Sequence, residues 1–185
     1  RAWLKKYGNN NKYLLTCCIN NPFFKPEQMT GLINDTIGGK HYNNINFLPV
    51  LNKNSEVNEF LNSIDIDLTG LSGGEGWNLP SFNATCLGKW SIVLNCTSHK
   101  DWATKDNSIL IEPSGAMPCA DGVFFSEAQP FNQGNFYTWT EEEAIQAMEK
   151  AEEKVGQINT EGVKLGDKMT YSKTVDSILS LIFKG

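Results

Sequence analysis

The stretch Ser72-Gly73-Gly74-Glu75-Gly76-Trp77-Asn78-Leu79-Pro80-Ser81-Phe82-Asn83 constrains this 185-residue chain more than any other. The run before it, Ile64 to Leu71, reads as a strand, and the residues from about Leu79 to Leu87 read as a short helix. Asn78 is placed as the N-cap of that helix and Pro80 for its first turn. A strand that enters a glycine-rich turn and leaves as a helix is a joint of an α/β fold. Gly73, Gly74 and Gly76 permit positive φ and a close approach by a ligand. The free N–H groups and the dipole of the helix's first turn favour an anion there, and Glu75 sets one carboxylate at the mouth of the loop. A phosphorylated ligand that also carries hydroxyls suits such a cradle, and a nucleotide-sugar has that chemistry. The alternative reading is that the glycines only turn the chain, as in many α/β proteins.

The rest of the chain alternates in the same way. Tyr13 to Ile19 is a short apolar run of strand type, and Pro26 opens a helix with Met29, Leu32, Ile33 and Ile37 on one face, closed by Gly38-Gly39. Ile45 to Val50 reads as a strand, followed by a helix capped at Asn54 or Ser55 with the stripe Val57, Phe60, Leu61, Ile64. Beyond the glycine loop come strands at Ser91 to Asn95 and Ser108 to Glu112, with a short segment between them at Thr97 to Ala103. Pro113 to Thr138 reads as one long irregular loop, of a length that is usually functional or mobile. Its aromatics, Phe124, Phe125, Phe131 and Phe136 with Tyr137 and the following Trp139, are expected to pack on the body. Thr140-Glu141-Glu142-Glu143 is a capping box, and the helix it starts turns Ala144, Ala147, Met148, Ala151 and Val155 inward. A last helix, about Thr170 to Phe183, presents Val175, Ile178, Leu179 and Ile182. Alternation of this kind predicts right-handed βαβ units and a Rossmann-like parallel sheet with helices on both faces. Ligands on such sheets bind beyond the carboxyl ends of the strands, where the glycine loop lies.

Charge and composition exclude several classes. A net charge of −5 argues against nucleic acid as the main partner. No apolar run reaches the roughly 18 residues that a membrane span needs, and no secretory signal precedes the first strand. Five cysteines without a C-x-x-C pair, two of them adjoining as Cys17-Cys18 in an apolar run, read as free thiols, buried at that pair, in a reducing compartment. Three Asn-x-Thr triplets, at Asn34, Asn83 and Asn95, read as chance matches in an Asn-rich chain. His41 and His99 have no second ligand at metal-binding spacing. Cys96 and His99 lie close in sequence but lack an orienting third group for nucleophilic catalysis. His99 follows a strand's carboxyl end and is a candidate contact in the same cleft.

The series Asp65 … Ser72-x-x-Glu75-Gly76-x-x-Leu79-Pro80-x-Phe82-x-Ala84-x-x-x-Gly88 resembles the donor-binding signature of retaining GT-B glycosyltransferases. The similarity spans most of the chain from about Tyr13, but only Ser72 to Gly88 is specific. The resemblance implies one donor-binding domain over residues 1–185, the C-terminal half of a GT-B fold without its first strand–helix unit, cut from a longer two-domain enzyme. It implies transfer of a sugar of hexose type from a nucleotide-sugar with retention of configuration, and no metal or other cofactor. Glu75 would take the catalytic position, bonding donor-sugar hydroxyls and stabilising positive charge at the anomeric carbon. Ser72, Gly74, Gly76, Trp77, Asn78 and Leu79 would line the donor, the amides of Trp77 to Leu79 on its pyrophosphate or sugar. The family spaces two Glu residues as E-x7-E; Asn83 stands at the second position, where ribose hydroxyls would be gripped. Lys5 and Lys6, on an apparent helix end, are not assigned the family's basic role. An acceptor-binding N-terminal domain lies outside the chain, so the fragment alone is expected to be inactive. The resemblance implies a cytoplasmic location, or a peripheral membrane one for the full-length protein. An uncovered sheet edge would invite self-association. Other readings are a catalytically silent nucleotide-binding or interaction module on the same fold, and an epimerase or phosphorylase of GT-B architecture.

Overall fold

The computed structural model describes residues 1–19, 21–122 and 124–183, and the chain divides into two compact units, Arg1–Phe60 and Leu61–Gly185. In the first unit, helix α1 (Ala2–Tyr7) precedes strand β1 (Leu15–Cys18), helix α2 (Pro26–Ile37) and strand β2 (Ile45–Leu48). The two strands pair in parallel, Leu15 opposite Ile45 and Cys18 opposite Leu48. Ring contacts tie α1 to the segment before β1: Trp3 lies tilted against Tyr7 at 4.4 Å, and Tyr7 stacks on Tyr13 at 4.2 Å. The α2 stripe sits at helical spacing as expected, yet none of its residues is fully buried. Met29, Leu32, Ile33 and Ile37 instead line an apolar cavity of about 210 Å³ with Leu15 and Phe47. Cys18 is exposed and Cys17 half-buried, not enclosed as expected, because a two-stranded sheet covers too little of either face. Helix α3 (Asn54–Ser63) runs across the division between the units.

The second unit carries a parallel sheet of β3 (Ile66–Gly70), β4 (Trp90–Leu94) and β5 (Ser108–Ile111), in that order. Strand β4 is central, and Ser91 to Leu94 are all buried, as a strand covered on both faces requires. Helices α4 (Leu79–Cys86) and α5 (Glu141–Glu152) pack on this sheet. Parallel pairing flanked by helices is the architecture expected, but its hydrogen bonds form two sheets, β1–β2 and β3–β4–β5, where one was expected. The α5 stripe Ala144, Ala147, Met148 and Ala151 is buried. Val155 lies past the end of that helix and is half exposed. The capping box forms: Thr140 Oγ1 accepts from the Glu143 amide at 3.2 Å and the Glu143 carboxylate accepts from the Thr140 amide at 2.6 Å. That pairing holds the Glu143 carboxyl below its ordinary range.

Two elements depart from the sequence reading. Pro113 to Thr138 is not wholly irregular: β6 (Gly115–Pro118) and β7 (Asn135–Thr138) form an antiparallel pair. Between Gln157 and Met169 lies helix α6 (Thr160–Lys168), which two glycines disguise in the sequence. Those glycines are spaced for packing. A Cβ on Gly162 would stand 2.2 Å from the Thr85 carbonyl oxygen, and one on Gly166 would stand 3.0 Å from Cys86 Cβ. The bare face of α6 is what lets it press on α4. Helix α7 (Tyr171–Ile182) forms where expected, with Thr170 as its cap, but none of its residues is buried. Among the described residues, no helix is long and apolar enough to cross a membrane.

Candidate functional site

Strand β3 delivers the chain to the glycine loop. At Gly70 the strand lies so close to β4 that a Cβ would come within 2.4 Å of the Ile92 carbonyl oxygen, and the register of β3 on β4 shifts between Asp67 and Gly70. The loop from Leu71 to Asn78 therefore leaves the sheet at the carboxyl end of its strands. Alternate carbonyls along it are tied to the body. Trp139 Nε1 donates to the Leu71 carbonyl at 2.7 Å and the Tyr137 amide to Gly73 at 3.0 Å. Ser98 Oγ donates to Glu75 at 3.0 Å and Trp102 Nε1 to Trp77 at 3.1 Å. These four anchors come from β7 and its continuation and from the short 3-10 helix Thr97–Asp101 with the residue after it.

The glycines divide by role. Gly73 is filled by protein, since a Cβ there would meet the Tyr137 carbonyl oxygen at 1.9 Å. At Gly74 a Cβ would lie 2.5 Å from the Phe136 ring. The close approach at both is made by β7, which the sequence did not foretell. Gly76 alone of the three faces open space, with nothing within 4 Å of a Cβ.

Asn78 was expected both to cap the helix and to line the ligand, and its side chain is spent on the first task. It is buried and left-handed, with φ at 61°, and its Oδ1 accepts from the Ser81 amide at 3.3 Å. Its Nδ2 donates to the Thr69 carbonyl at 2.8 Å and faces His99 Nε2 at 3.2 Å. His99 is not a cleft contact. It is fully enclosed, with Nδ1 against the Leu94 carbonyl at 2.7 Å and its ring edge-on to Trp102. The 3-10 helix folds it inward under the loop, so its place after a strand end misleads.

The first turn of α4 offers few donors. Pro80 has no N–H and the Ser81 amide is taken by Asn78. The amides of Gly74, Gly76, Trp77 and Leu79 have no acceptor among the described residues. Gly74, Gly76 and Leu79 are exposed, while Ser72, Glu75 and Trp77 are half-buried. The Glu75 carboxylate, likewise, meets no hydrogen-bond donor or cation among the described residues. Asn83 is exposed, one turn beyond Leu79 on the same outward side of α4. Loop amides, one carboxylate and one amide side chain thus share an open edge of the second unit.

Beneath the loop lies a buried polar patch. Asp67 is 3% exposed, and its Oδ1 accepts from the Thr69 hydroxyl at 2.8 Å and the Thr69 amide at 3.2 Å. Burial pushes its carboxyl above the ordinary range, against the opposing pull of the Thr69, Ser81 and Ser91 hydroxyls. Neither serine closes a hydrogen bond on Oδ2, which is left without a partner, as is Ser81 Oγ. Ser91 Oγ is engaged instead with Thr85 Oγ1 at 2.8 Å. Among the described residues, no three His, Cys, Asp or Glu side chains gather as a metal centre would require.

Parallel strands flanked by helices match the fold of the C-terminal domain of a GT-B glycosyltransferase. Among solved structures the chain is similar to the crystal structure of the C-terminal domain of a glycosyl transferase group 1 family protein (LpcC) from Francisella tularensis. The TM-score is 0.60 at 14% sequence identity, over 91% of this chain and 75% of that one. At that identity the likeness speaks for the fold. Protein-family models and curated protein sequences return no match.

Proposed function

We propose that the second unit binds the donor of a retaining glycosyltransferase, a nucleotide-sugar, at the open edge formed by Gly74 to Leu79 and Asn83. The observation that carries this reading is the pairing, on one open edge, of loop amides without acceptors and the unpartnered Glu75 carboxylate. The amides suit phosphate oxygens, which need donors and no side-chain charge. Glu75 suits a sugar whose anomeric carbon gains positive charge as its bond to phosphate breaks. Ser72 and Trp77 flank that position, and Asn83 lies where ribose hydroxyls would be held. No metal enters this scheme; the loop amides would hold the phosphate oxygens as hydrogen-bond donors. An acceptor and the domain that binds it lie outside the reading of these residues.

Calorimetric titration with UDP, GDP and ADP tests it. One of them should bind, and Gly76→Ala should weaken that binding while leaving the melting temperature unchanged, since Gly76 faces open space. Gly73→Ala is the contrasting variant, because its methyl group would collide with Tyr137 and unfold the loop's support. Absence of binding by all three nucleotides would overturn the reading and leave a silent module on the same fold.

A further inference from the structure

We infer that His99 is a positioning residue that locks the glycine loop through Asn78, and that it does so as one neutral tautomer. The amide orientation of Asn78 is fixed by its other partners. The Thr69 carbonyl can only accept, so Nδ2 must face it; the Ser81 N–H can only donate, so Oδ1 must face that. Nδ2 therefore also points at His99 Nε2, which has to be the acceptor. The other ring nitrogen sits 2.7 Å from the Leu94 carbonyl and has to carry the proton. Both assignments select the same species, the Nδ1–H imidazole. A flipped Asn78 amide would set oxygen against the Thr69 carbonyl and NH₂ against the Ser81 N–H, so the chain of bonds has one polarity.

The lock acts where the loop becomes helix. Asn78 is held at φ 61°, in the left-handed region that few non-glycine residues adopt and that asparagine tolerates better than most. Its side chain joins three elements at once: the end of β3 through Thr69, the first turn of α4 through Ser81, and the end of β4 through His99 and Leu94. The imidazole also packs edge-on against Trp102, whose indole N–H holds the Trp77 carbonyl. The free amides at Gly76, Trp77 and Leu79 are thereby aimed by a buried imidazole that never reaches the surface.

Only the ligand-binding arm of the test rests on the donor-site reading. Nitrogen-15 spectra of the full chain should show Nε2 of His99 unprotonated and Nδ1 protonated. His99→Phe keeps a flat ring without either hydrogen bond. It should speed hydrogen exchange at the Ser81 and Phe82 amides, which donate to the side chain and the carbonyl of Asn78, by about tenfold, the scale of one lost buried hydrogen bond, and weaken nucleotide binding to match. His99→Gln, which can offer an acceptor to Asn78, should restore much of both. Asn78→Asp, isosteric but without the amide N–H, should loosen the loop as His99→Phe does. An Nε2–H tautomer, or exchange at those amides unaltered in His99→Phe, would overturn the lock. Exchange that responds in a chain that binds no nucleotide would uphold the lock and remove the donor site instead.

Discussion

Replacing Asp67 by Asn should stabilise the protein at neutral pH, although Asp67 is buried and hydrogen-bonded. The structure supplies the reason. Thr69 donates twice to Oδ1, at 2.8 and 3.2 Å, while the buried Oδ2 has no partner, so burial costs the charged form more than its hydrogen bonds return. The carboxyl is accordingly raised above its ordinary value in the folded chain. Below the unfolded value of 3.8 both states hold the proton and the residue contributes no pH dependence. As pH rises above that value the unfolded chain releases its proton first, so stability falls until pH passes the raised folded value and then levels off. Each unit between the two values is worth about 1.4 kcal/mol. Asn keeps the acceptor for Thr69 and puts an N–H donor in place of the orphaned oxygen, beside the unpartnered Ser81 hydroxyl. Removing one unsatisfied buried group is worth about 1–3 kcal/mol, which in a chain of this size raises the melting temperature by roughly 2–12 °C. Thermal unfolding followed by near-ultraviolet circular dichroism from pH 4 to 8 reads it, with the difference between the two chains cancelling other titrations. The gap should widen with pH. A variant less stable than the wild type at pH 7, or a gap that narrows as pH rises, would refute the reasoning.

If Glu75 serves the proposed donor site, Glu75→Gln should lower sugar transfer about a hundredfold without shifting the melting temperature, because the carboxylate meets no hydrogen-bond donor or cation among the described residues. A transfer assay beside a melting curve separates this from a structural role, which would lower both. Asn83→Glu should tighten nucleoside diphosphate binding about fivefold by adding a charge-assisted hydrogen bond; unchanged affinity for every nucleotide would place Asn83 outside the ribose site. Gly162→Ala should cost about 1–3 kcal/mol, since its methyl group would press on the Thr85 carbonyl across the α4–α6 contact, and chemical denaturation measures it. Thr140→Ala should cost about 1 kcal/mol through loss of the α5 cap, again read by denaturation.

The strand–loop–helix joint, the five parallel strands and most helices were legible because each is specified locally. Apolar runs of four or five residues, Asn78 and Thr140 as caps, and Pro26 and Pro80 in first turns act over a few neighbouring residues, and the structure bears them out. The alternation in Asn135 to Thr138 is a strand signal too, but its partner, Gly115-Ala116-Met117-Pro118, has little strand character. What the sequence could not disclose were facts of approach. Gly73 and Gly74 carry the composition of a ligand cradle, and only the packing of β7 shows that protein fills it at both while Gly76 stays open. Gly162 and Gly166, of low helix propensity, are the surface on which α6 meets α4. His99 and Asn78 each looked available to a ligand, and a bond between residues 21 apart turned both inward. Propensity and capping act through the chain's own neighbours and can be read along it. Which small residue faces protein and which faces solvent depends on what folds back from far away, and only the tertiary structure decides that.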